Sequence, residues 1–173
     1  MPDRLAAALR TVADFPTPGV QFKDITPILG DAALLREAVE RLAAPYREAG
    51  VTHVAGMEAR GFLLGPLLAA ELGAGFIPVR KPGKLPADTY AEAYALEYGT
   101  DTLELHRDAC GPADRVLLHD DVIATGGTAG AALRLLARTG AAVVGASFLI
   151  DLSFLGGRAT LPEGLPVHAA IEL

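Results

Sequence analysis

Residues 116–128 read VLLHDDVIATGGT, and this stretch decides the fold of the chain. It opens with apolar residues that predict a buried strand, and two adjacent carboxylates, Asp120 and Asp121, follow that strand. Small and hydroxyl residues then form a glycine loop over residues 124–128, and residues 129–138 have the composition of a helix. The order of strand, acidic pair, glycine loop and helix predicts a βα unit with a ligand site at the carboxyl end of its strand.

The glycine loop has the properties of a phosphate-binding loop. Backbone N–H groups that open a helix point at one spot, and the helix dipole makes that spot attractive to a dianion. The loop lacks the lysine of a Walker A motif and the three spaced glycines of a Rossmann turn. The acidic pair would repel a phosphate unless it faces sugar hydroxyls, a metal ion or a developing positive charge. A ribose phosphate offers all three.

Residues 116–128 resemble the signature of the type I phosphoribosyltransferases, which bind 5-phosphoribosyl 1-pyrophosphate (PRPP). The likeness runs in order from about residue 14 to residue 157. Four further segments are similar to the adenine-specific members of this family: residues 15–24 (FPTPGVQFKD), 58–65 (EARGFLLG), 79–86 (VRKPGKLP) and 96–99 (LEYG).

The resemblance implies an α/β fold with an open, mainly parallel twisted sheet that is flanked by helices. It also implies a small N-terminal hood over approximately residues 14–30 and a mobile lid loop over approximately residues 82–102. At 173 residues, the chain is expected to form one phosphoribosyltransferase domain, residues 1–173.

Hydrophobic periodicity predicts the elements around the central stretch. Residues 85–99 lack a clean period and predict an irregular segment. His119 is expected to be a buried, hydrogen-bonded histidine, and the alternative is a titratable group behind Asp120. The predicted helices are residues 3–12, 31–49 and 62–72, and the predicted strands are residues 51–56, 75–79, 142–150 and an edge strand at 167–171.

Composition limits the choice of partner and compartment. The net charge of −6 and a pI of about 5.1 argue against nucleic acid or an anionic membrane as a partner. The single cysteine, Cys110, cannot form an internal disulfide, which is typical of a reducing compartment. No apolar run approaches the ~20 residues of a membrane span. We therefore expect a cytoplasmic protein with no membrane partner.

The resemblance assigns adenine recognition to the hood and to a turn near the end of the chain. It implies that the Phe22 ring stacks on adenine while the main chains of Gln21 and Lys23 read the edge of the base. Leu152 matches the position that packs on the other face of adenine. The alternative for Phe22 is an irregular connection in which its ring only covers the core.

Pyrophosphate is expected to meet several cations. Arg60 lies where one strand ends and the next helix begins, and the family binds pyrophosphate at this turn, often beside a cis peptide bond that would here precede Ala59. The alternative is that Arg60 only pairs with Glu58 on the surface. A second group is the densest basic cluster in the chain: Arg80, Lys81 and Lys84. That cluster could instead be a solvated loop.

A homodimer is implied as well, because a basic residue of this cluster can reach across the dimer interface in relatives. The lid follows from the chemistry, since PRPP is lost to water unless the site closes before its C1–pyrophosphate bond breaks. By resemblance, Glu97 and Tyr98 belong to the lid, and Glu97 would handle a proton on the adenine ring. The alternative for Glu97 is a solvated acid.

The implied reaction joins adenine and PRPP to give AMP and pyrophosphate, with Mg²⁺ brought by the pyrophosphate. Asp120 and Asp121 would hold the ribose hydroxyls and favour an oxocarbenium-like ring. The residues expected to fix the 5′-phosphate are Ala124, Thr125, Gly126, Gly127 and Thr128.

Two other functions stay open on the sequence. The first is transfer to another purine base, such as hypoxanthine, guanine or xanthine. The second is a regulator that retains PRPP binding as a sensor and contacts nucleic acid. An added DNA-binding domain has no room in 173 residues, and the acidic balance disfavours a nucleic-acid surface.

Overall fold

A computed structural model describes residues 3–96 and 99–173 of the chain. Its centre is a sheet of five parallel strands in the spatial order β4-β3-β7-β8-β9. The strands of this sheet are β3 (His53–Met57), β4 (Gly75–Val79), β7 (Arg115–Ile123), β8 (Ala142–Asp151) and β9 (Val167–Glu172). Two antiparallel pairs lie outside it, β1 (Arg10–Ala13) with β2 (Gln21–Asp24) and β5 (Thr89–Ala95) with β6 (Thr100–His106).

Helices cover both faces of the sheet. Asp31 begins α3 by accepting hydrogen bonds from the N–H groups of Ala33 and Leu34, at 2.8 and 3.0 Å. The α-helices are α1 (Arg4–Ala8), α2 (Thr26–Leu29), α3 (Ala32–Ala43), α4 (Gly61–Glu71) and α5 (Gly127–Thr139), and short 3-10 turns span Ala44–Tyr46, Ser153–Leu155 and Gly157–Thr160.

The apolar run at the start of β7 reflects this double cover. Val116 and Leu118 pack in one core cluster with Leu135 of α5, whereas Leu117 packs in a second cluster with Leu64 of α4. A parallel strand that is buried on both faces needs apolar residues at successive positions. The predicted α/β class and its parallel sheet are therefore confirmed.

The N-terminal prediction is wrong in part. The helix predicted for residues 3–12 ends at Ala8, and Arg10–Ala13 forms a strand. This strand pairs with Gln21–Asp24, so that Val12 lies opposite Phe22. Pairing with a distant segment outweighs the helical spacing of these few residues, because so short a helix gains little from its own hydrogen bonds.

The segment predicted to be irregular, residues 85–99, contains a strand instead. Thr89–Ala95 pairs with β6, and Tyr94 is buried with Leu103 and Leu105. The sequence TYAEAYA places its large side chains on one face, where the Tyr90 ring lies 4.4 Å from the Arg138 guanidinium of α5. Glu97 and Tyr98 lie outside the described residues, and the mobility of the lid stays a prediction.

The remaining predicted elements are present, but the helix predicted for residues 31–49 ends at Ala43. The edge strand extends over Val167–Glu172, and α3 gives way to a 3-10 turn at Pro45, where a proline removes a helical hydrogen bond. Within residues 3–96 and 99–173, no helix has both the length and the apolar content that crossing a bilayer requires.

Candidate functional site

Several connections meet at the carboxyl edge of the central sheet, because parallel strands all end on the same side. A cavity of about 210 Å³ opens there, between the β3–α4 turn and the β7–α5 loop. The described residues that line it are Met57, Arg60, Asp120, Asp121 and residues 122–129.

The β7–α5 loop brings the uncapped start of a helix to this cavity. Gly126 precedes α5 with a φ of 83°, which L side chains adopt rarely, and no side chain caps the first turn. The first N–H groups of a helix have no partner within the helix. Here they lie beside a cavity that Thr125 and Thr128 also line. Backbone donors and the helix dipole together suit an anion at this end.

The acidic pair forms the wall next to the loop. Asp120 Oδ1 accepts a hydrogen bond of 2.9 Å from the N–H of Asp121. Burial raises the pKa of the Asp120 carboxyl well above its usual range, and the neighbouring Asp121 charge adds to the effect. Gly61 makes room for this carboxyl, because a Cβ at that position would lie 3.0 Å from Asp120 Oδ1.

Asp121 is 2% exposed, and burial raises its pKa while the Arg60 guanidinium opposes that rise. Arg60 Nε lies 2.8 Å from Asp121 Oδ2, but this ion pair lacks the alignment of a hydrogen bond. Among the described residues, Asp121 Oδ2 has no hydrogen-bond donor. A buried carboxylate oxygen without a donor is costly unless a ligand supplies one. Asp121 therefore suits a ligand hydroxyl.

Arg60 connects the acidic wall to the hood. Its guanidinium lies 5.1 Å from the centroid of the Phe22 ring, which packs edge-on against Phe15. The surface pairing of Arg60 with Glu58 is not observed, because Glu58 pairs instead with Arg80 at 3.1 Å. The peptide bond between Glu58 and Ala59 is cis, which is the geometry that the resemblance implies.

The basic cluster contacts acids of the protein. Arg80 and the N–H of Lys81 share the Glu58 carboxylate, and these contacts, chiefly the Lys81 hydrogen bond, lower the pKa of Glu58. The Lys81 ammonium forms an ion pair with Asp101 of β6 and lies 3.2 Å from the Tyr94 hydroxyl. Lys84 is exposed. These three cations do not line the cavity with Arg60 and the acidic pair.

Comparison with known proteins identifies the family. The sequence model of the phosphoribosyl transferase domain matches residues 28–153. An adenine phosphoribosyltransferase from Neorhizobium galegae is 57% identical over 171 residues, which cover 98% of this chain and 94% of the relative. This chain belongs to the adenine phosphoribosyltransferases. The family predicted from residues 116–128 and the four other segments is thereby confirmed.

Solved adenine phosphoribosyltransferases have the same fold. The enzyme from Rhodothermus marinus superposes with a TM-score of 0.94 at 60% identity, covering 98% of this chain and 96% of that one. The Saccharomyces cerevisiae enzyme was solved in complex with an imino-altritol bisphosphate and adenine. It superposes with a TM-score of 0.90 at 38% identity, covering 95% of each chain.

Some of the residues that were predicted to form the site line one cavity, and others lie outside it. Arg60, both aspartates and residues 124–128 share one cavity, and Phe22 joins them through Arg60. Leu152 follows β8 at the same edge, where its N–H donates to Ile123 O at 3.0 Å. Gln21 is exposed, and the Lys23 ammonium donates to Thr11 Oγ1 at 3.0 Å.

His119 directly precedes the acidic pair on β7 and is fully buried, as predicted. Its Nδ1 lies 2.9 Å from the carbonyl of Ser147, which can only accept, so Nδ1 holds the proton. Burial lowers the pKa of His119 to about 4. The imidazole is therefore neutral near pH 7 and adds no charge behind Asp120.

Sequence reasoning missed four residues of the site. Tyr94 and Asp101 contact Lys81, while Gly157 and Thr160 pack on the glycine loop. The alternation of tyrosine and alanine in residues 89–95 could have revealed the strand that places Tyr94. No local pattern reveals the other contacts, because they join segments that are distant in sequence.

Proposed function

We propose that this chain transfers the 5-phosphoribosyl group of PRPP to N9 of adenine, giving AMP and pyrophosphate, as in purine salvage. The observation that supports it best is the pairing of an uncapped helix start with two adjacent carboxylates, the half-buried Asp120 and the buried Asp121, in one cavity of about 210 Å³. The two features suit opposite ends of a ribose phosphate: an anion at the helix, and hydroxyls with developing positive charge at the acids.

The 5′-phosphate would bind the loop of Ala124, Thr125, Gly126, Gly127 and Thr128. Its charge would meet the first N–H groups of α5, and the threonine hydroxyls would add donors. Binding energy at this end of PRPP does not change during the reaction, so it serves to hold C1 in place for attack by N9.

The ribose would lie beside Asp120 and Asp121. Asp121 Oδ2, which has no donor among the described residues, would accept from a ribose hydroxyl. As the C1–pyrophosphate bond breaks, positive charge grows on the ring, and a fixed carboxylate in a buried site stabilises that charge strongly. N9 of adenine then forms the new bond at C1, and the bond electrons leave with the pyrophosphate. No covalent enzyme intermediate is required.

Adenine would stack on Phe22, with the main chains of Gln21 and Lys23 at its edge and Leu152 on its other face. The Phe22 ring is half-buried, and the Arg60 guanidinium lies 5.1 Å from its centroid in a cation–π contact. Glu97 is the proposed group for the adenine proton, with Tyr98 beside it on the lid. Both belong to the two-residue gap between positions 96 and 99, so these roles rest on the family resemblance.

Pyrophosphate would bind Arg60 together with Arg80, Lys81 and Lys84. Mg²⁺ would enter with the pyrophosphate, where it would neutralise charge on the leaving group and keep most of its waters. Carboxylate oxygens are the donors that Mg²⁺ prefers, so the acidic wall formed by Asp120 and Asp121 fits an ion at this end of the cavity. The protein itself would contribute the cations and the orientation.

Asp101→Asn is expected to tighten pyrophosphate binding by about two- to fivefold, because partly exposed ion pairs are modest in strength. In the free protein Asp101 holds the Lys81 ammonium, so its carboxylate competes with pyrophosphate for that cation. Product inhibition by pyrophosphate measures the effect. Asp108→Asn, which makes the same charge change in the exposed turn after β6, should leave the inhibition constant unchanged. An equal effect of Asp101→Asn in a Lys81→Met background would contradict the competition.

A homodimer is the proposed assembly. Leu63 and Leu67 of α4 are 47% and 42% exposed, and a groove of about 480 Å³ that Leu35, Val39 and Leu67 help to line runs between α3 and α4. Contiguous exposed apolar surface of this kind marks interaction sites. Sedimentation equilibrium is expected to give twice the mass of one chain, and a monomer at assay concentrations would refute the assembly. We further propose that the partners of the chain are its small-molecule substrates and not nucleic acid or a membrane. The proposed location is the cytoplasm.

A turnover assay tests the function. AMP and pyrophosphate are expected from adenine, PRPP and Mg²⁺, with hypoxanthine, guanine and xanthine as competing bases. Preferential use of another base would reassign the substrate. Tight PRPP binding without any nucleotide product would favour the PRPP-sensing regulator.

A further inference from the structure

A short turn from the end of the chain packs against the glycine loop. Thr160, the last residue of the Gly157–Thr160 turn, has its hydroxyl 3.2 Å from the carbonyl oxygen of Thr125. The same hydroxyl lies 2.8 Å from the carbonyl oxygen of Gly157. A threonine hydroxyl has one proton, and both neighbours are acceptors, so it donates to one of them at a time. Donation to the Thr125 carbonyl links the turn to the loop, whereas donation to the Gly157 carbonyl stays within the turn.

The two segments approach as closely as backbones can. A Cβ at Gly126 would lie 2.1 Å from Thr160 Oγ and 2.6 Å from the carbonyl oxygen of Gly157. A Cβ at Gly157 would lie 2.3 Å from the carbonyl oxygen of Ala124. Each side of the contact therefore has a glycine where any side chain would force the segments apart.

The turn is fixed to the sheet and not only to the loop. Arg158 Nε lies 2.6 Å from Asp151 Oδ2, and its Nη2 lies 2.6 Å from Glu172 Oε1. Asp151 is 2% exposed and ends β8, and Glu172 ends β9. A charge-assisted pair with a buried carboxylate restrains Arg158 strongly. The turn is thus a support that is fixed to the ends of β8 and β9 and packs against the glycine loop.

We propose that Thr160 is a positioning residue for the 5′-phosphate, an inference that rests on the proposed function. The peptide unit is planar, so the carbonyl of Thr125 and the N–H of Gly126 point in opposite directions. By binding that carbonyl on the outer side of the loop, Thr160 orients the Gly126 N–H toward the cavity and keeps a carbonyl dipole away from the dianion.

Ribose 5-phosphate and inorganic pyrophosphate separate the two ends of the site in a calorimetric titration. Thr160→Val keeps the shape of the side chain and removes the hydroxyl. The variant is expected to bind ribose 5-phosphate about five- to twentyfold more weakly. This is the scale of losing one hydrogen bond, here the bond that orients the phosphate-binding loop. Pyrophosphate affinity should stay within about twofold, because the cations that bind it lie elsewhere. Thr160→Ser retains the hydroxyl and should restore wild-type affinity for both ligands.

Kinetics give a second readout with the same variants. KM for PRPP should rise with Thr160→Val while kcat at saturating substrate changes less than about threefold, since the acids beside C1 are untouched. Arg158→Gln, which loosens the anchor of the turn, should show the same selective loss and serves if the valine variant does not fold. Equal ribose 5-phosphate affinity in the valine variant and the wild type would overturn the inference, as would an equal loss for pyrophosphate. Failure of the wild type to bind ribose 5-phosphate would refute the proposed function itself.

Discussion

Asp121→Asn is expected to lower kcat by about two to three orders of magnitude, the scale on which enzymes lose rate when a fixed electrostatic stabiliser is removed. Asparagine has nearly the same shape and can still accept a ribose hydroxyl, but it lacks the negative charge that steadies the cationic ring. Ribose 5-phosphate has no such charge in its ground state, so its dissociation constant should change little. Single-turnover AMP formation and calorimetry measure the two quantities.

A matched control is available on the same strand. Asp114 immediately precedes β7, at the end of the strand opposite to the cavity, and its carboxylate accepts from the Gly111 N–H at 2.9 Å. Asp114→Asn makes the same change of charge and should leave kcat within about threefold of wild type. Asp114 and the cavity lie at opposite ends of β7, so solvent and salt largely screen the Asp114 charge from the cavity. Unchanged turnover in Asp121→Asn, or an equal loss in both variants, would remove Asp121 from the chemistry.

Gly126→Ala is expected to weaken ribose 5-phosphate binding by about a hundredfold or more. Alanine at a φ of 83° costs ~1–2 kcal/mol, and its Cβ would lie 2.6 Å from the Gly157 carbonyl oxygen, which belongs to the backbone and cannot rotate away. The loop must shift to relieve this contact, and the N–H groups at the start of α5 then no longer point at the same spot. The KM for PRPP should rise correspondingly, because we propose that this loop binds the 5′-phosphate.

Gly164 separates the conformational cost from the contact. It has a φ of 80°, close to that of Gly126, and a Cβ there would meet nothing within 4 Å. Gly164→Ala should lower the melting temperature by a few degrees and leave ribose 5-phosphate binding unchanged. If Gly126→Ala bound ribose 5-phosphate like the wild type, the loop would not be the phosphate site.

The centre of the fold could be predicted from sequence because its signals are local. Val116 to Leu118 are apolar in succession since both faces of β7 are covered, and the glycines that follow mark the loop that opens α5. The cavity residues Asp120 and Asp121 follow from that order alone. A strand end, an acidic pair and a helix start must share one edge of a parallel sheet.

The periphery could not be predicted in the same way. Residues 10–13 have helical spacing, but their strand partner lies about ten residues further on, and pairing overrides such a weak preference. Which charged residues form ion pairs could not be predicted from the sequence either. Glu58 stands two residues before Arg60 yet pairs with Arg80, because the fold and not the sequence sets which charges meet. The Thr160 support joins residues 35 apart and has no local signal.

The β1–β2 hairpin and the strand β7, which leads into the glycine loop, belong to separate sheets. The amide protons of these two segments should therefore exchange with solvent at different rates. β1 and β2 form a two-stranded sheet of exposed or half-buried residues. In contrast, β7 lies between β3 and β8, and a core cluster packs on each of its two faces. Small, exposed units open locally at a fraction of the free energy of global unfolding. The β1–β2 hairpin is therefore expected to open locally while the central sheet stays paired, and under the proposed function this opening would let adenine enter and AMP leave.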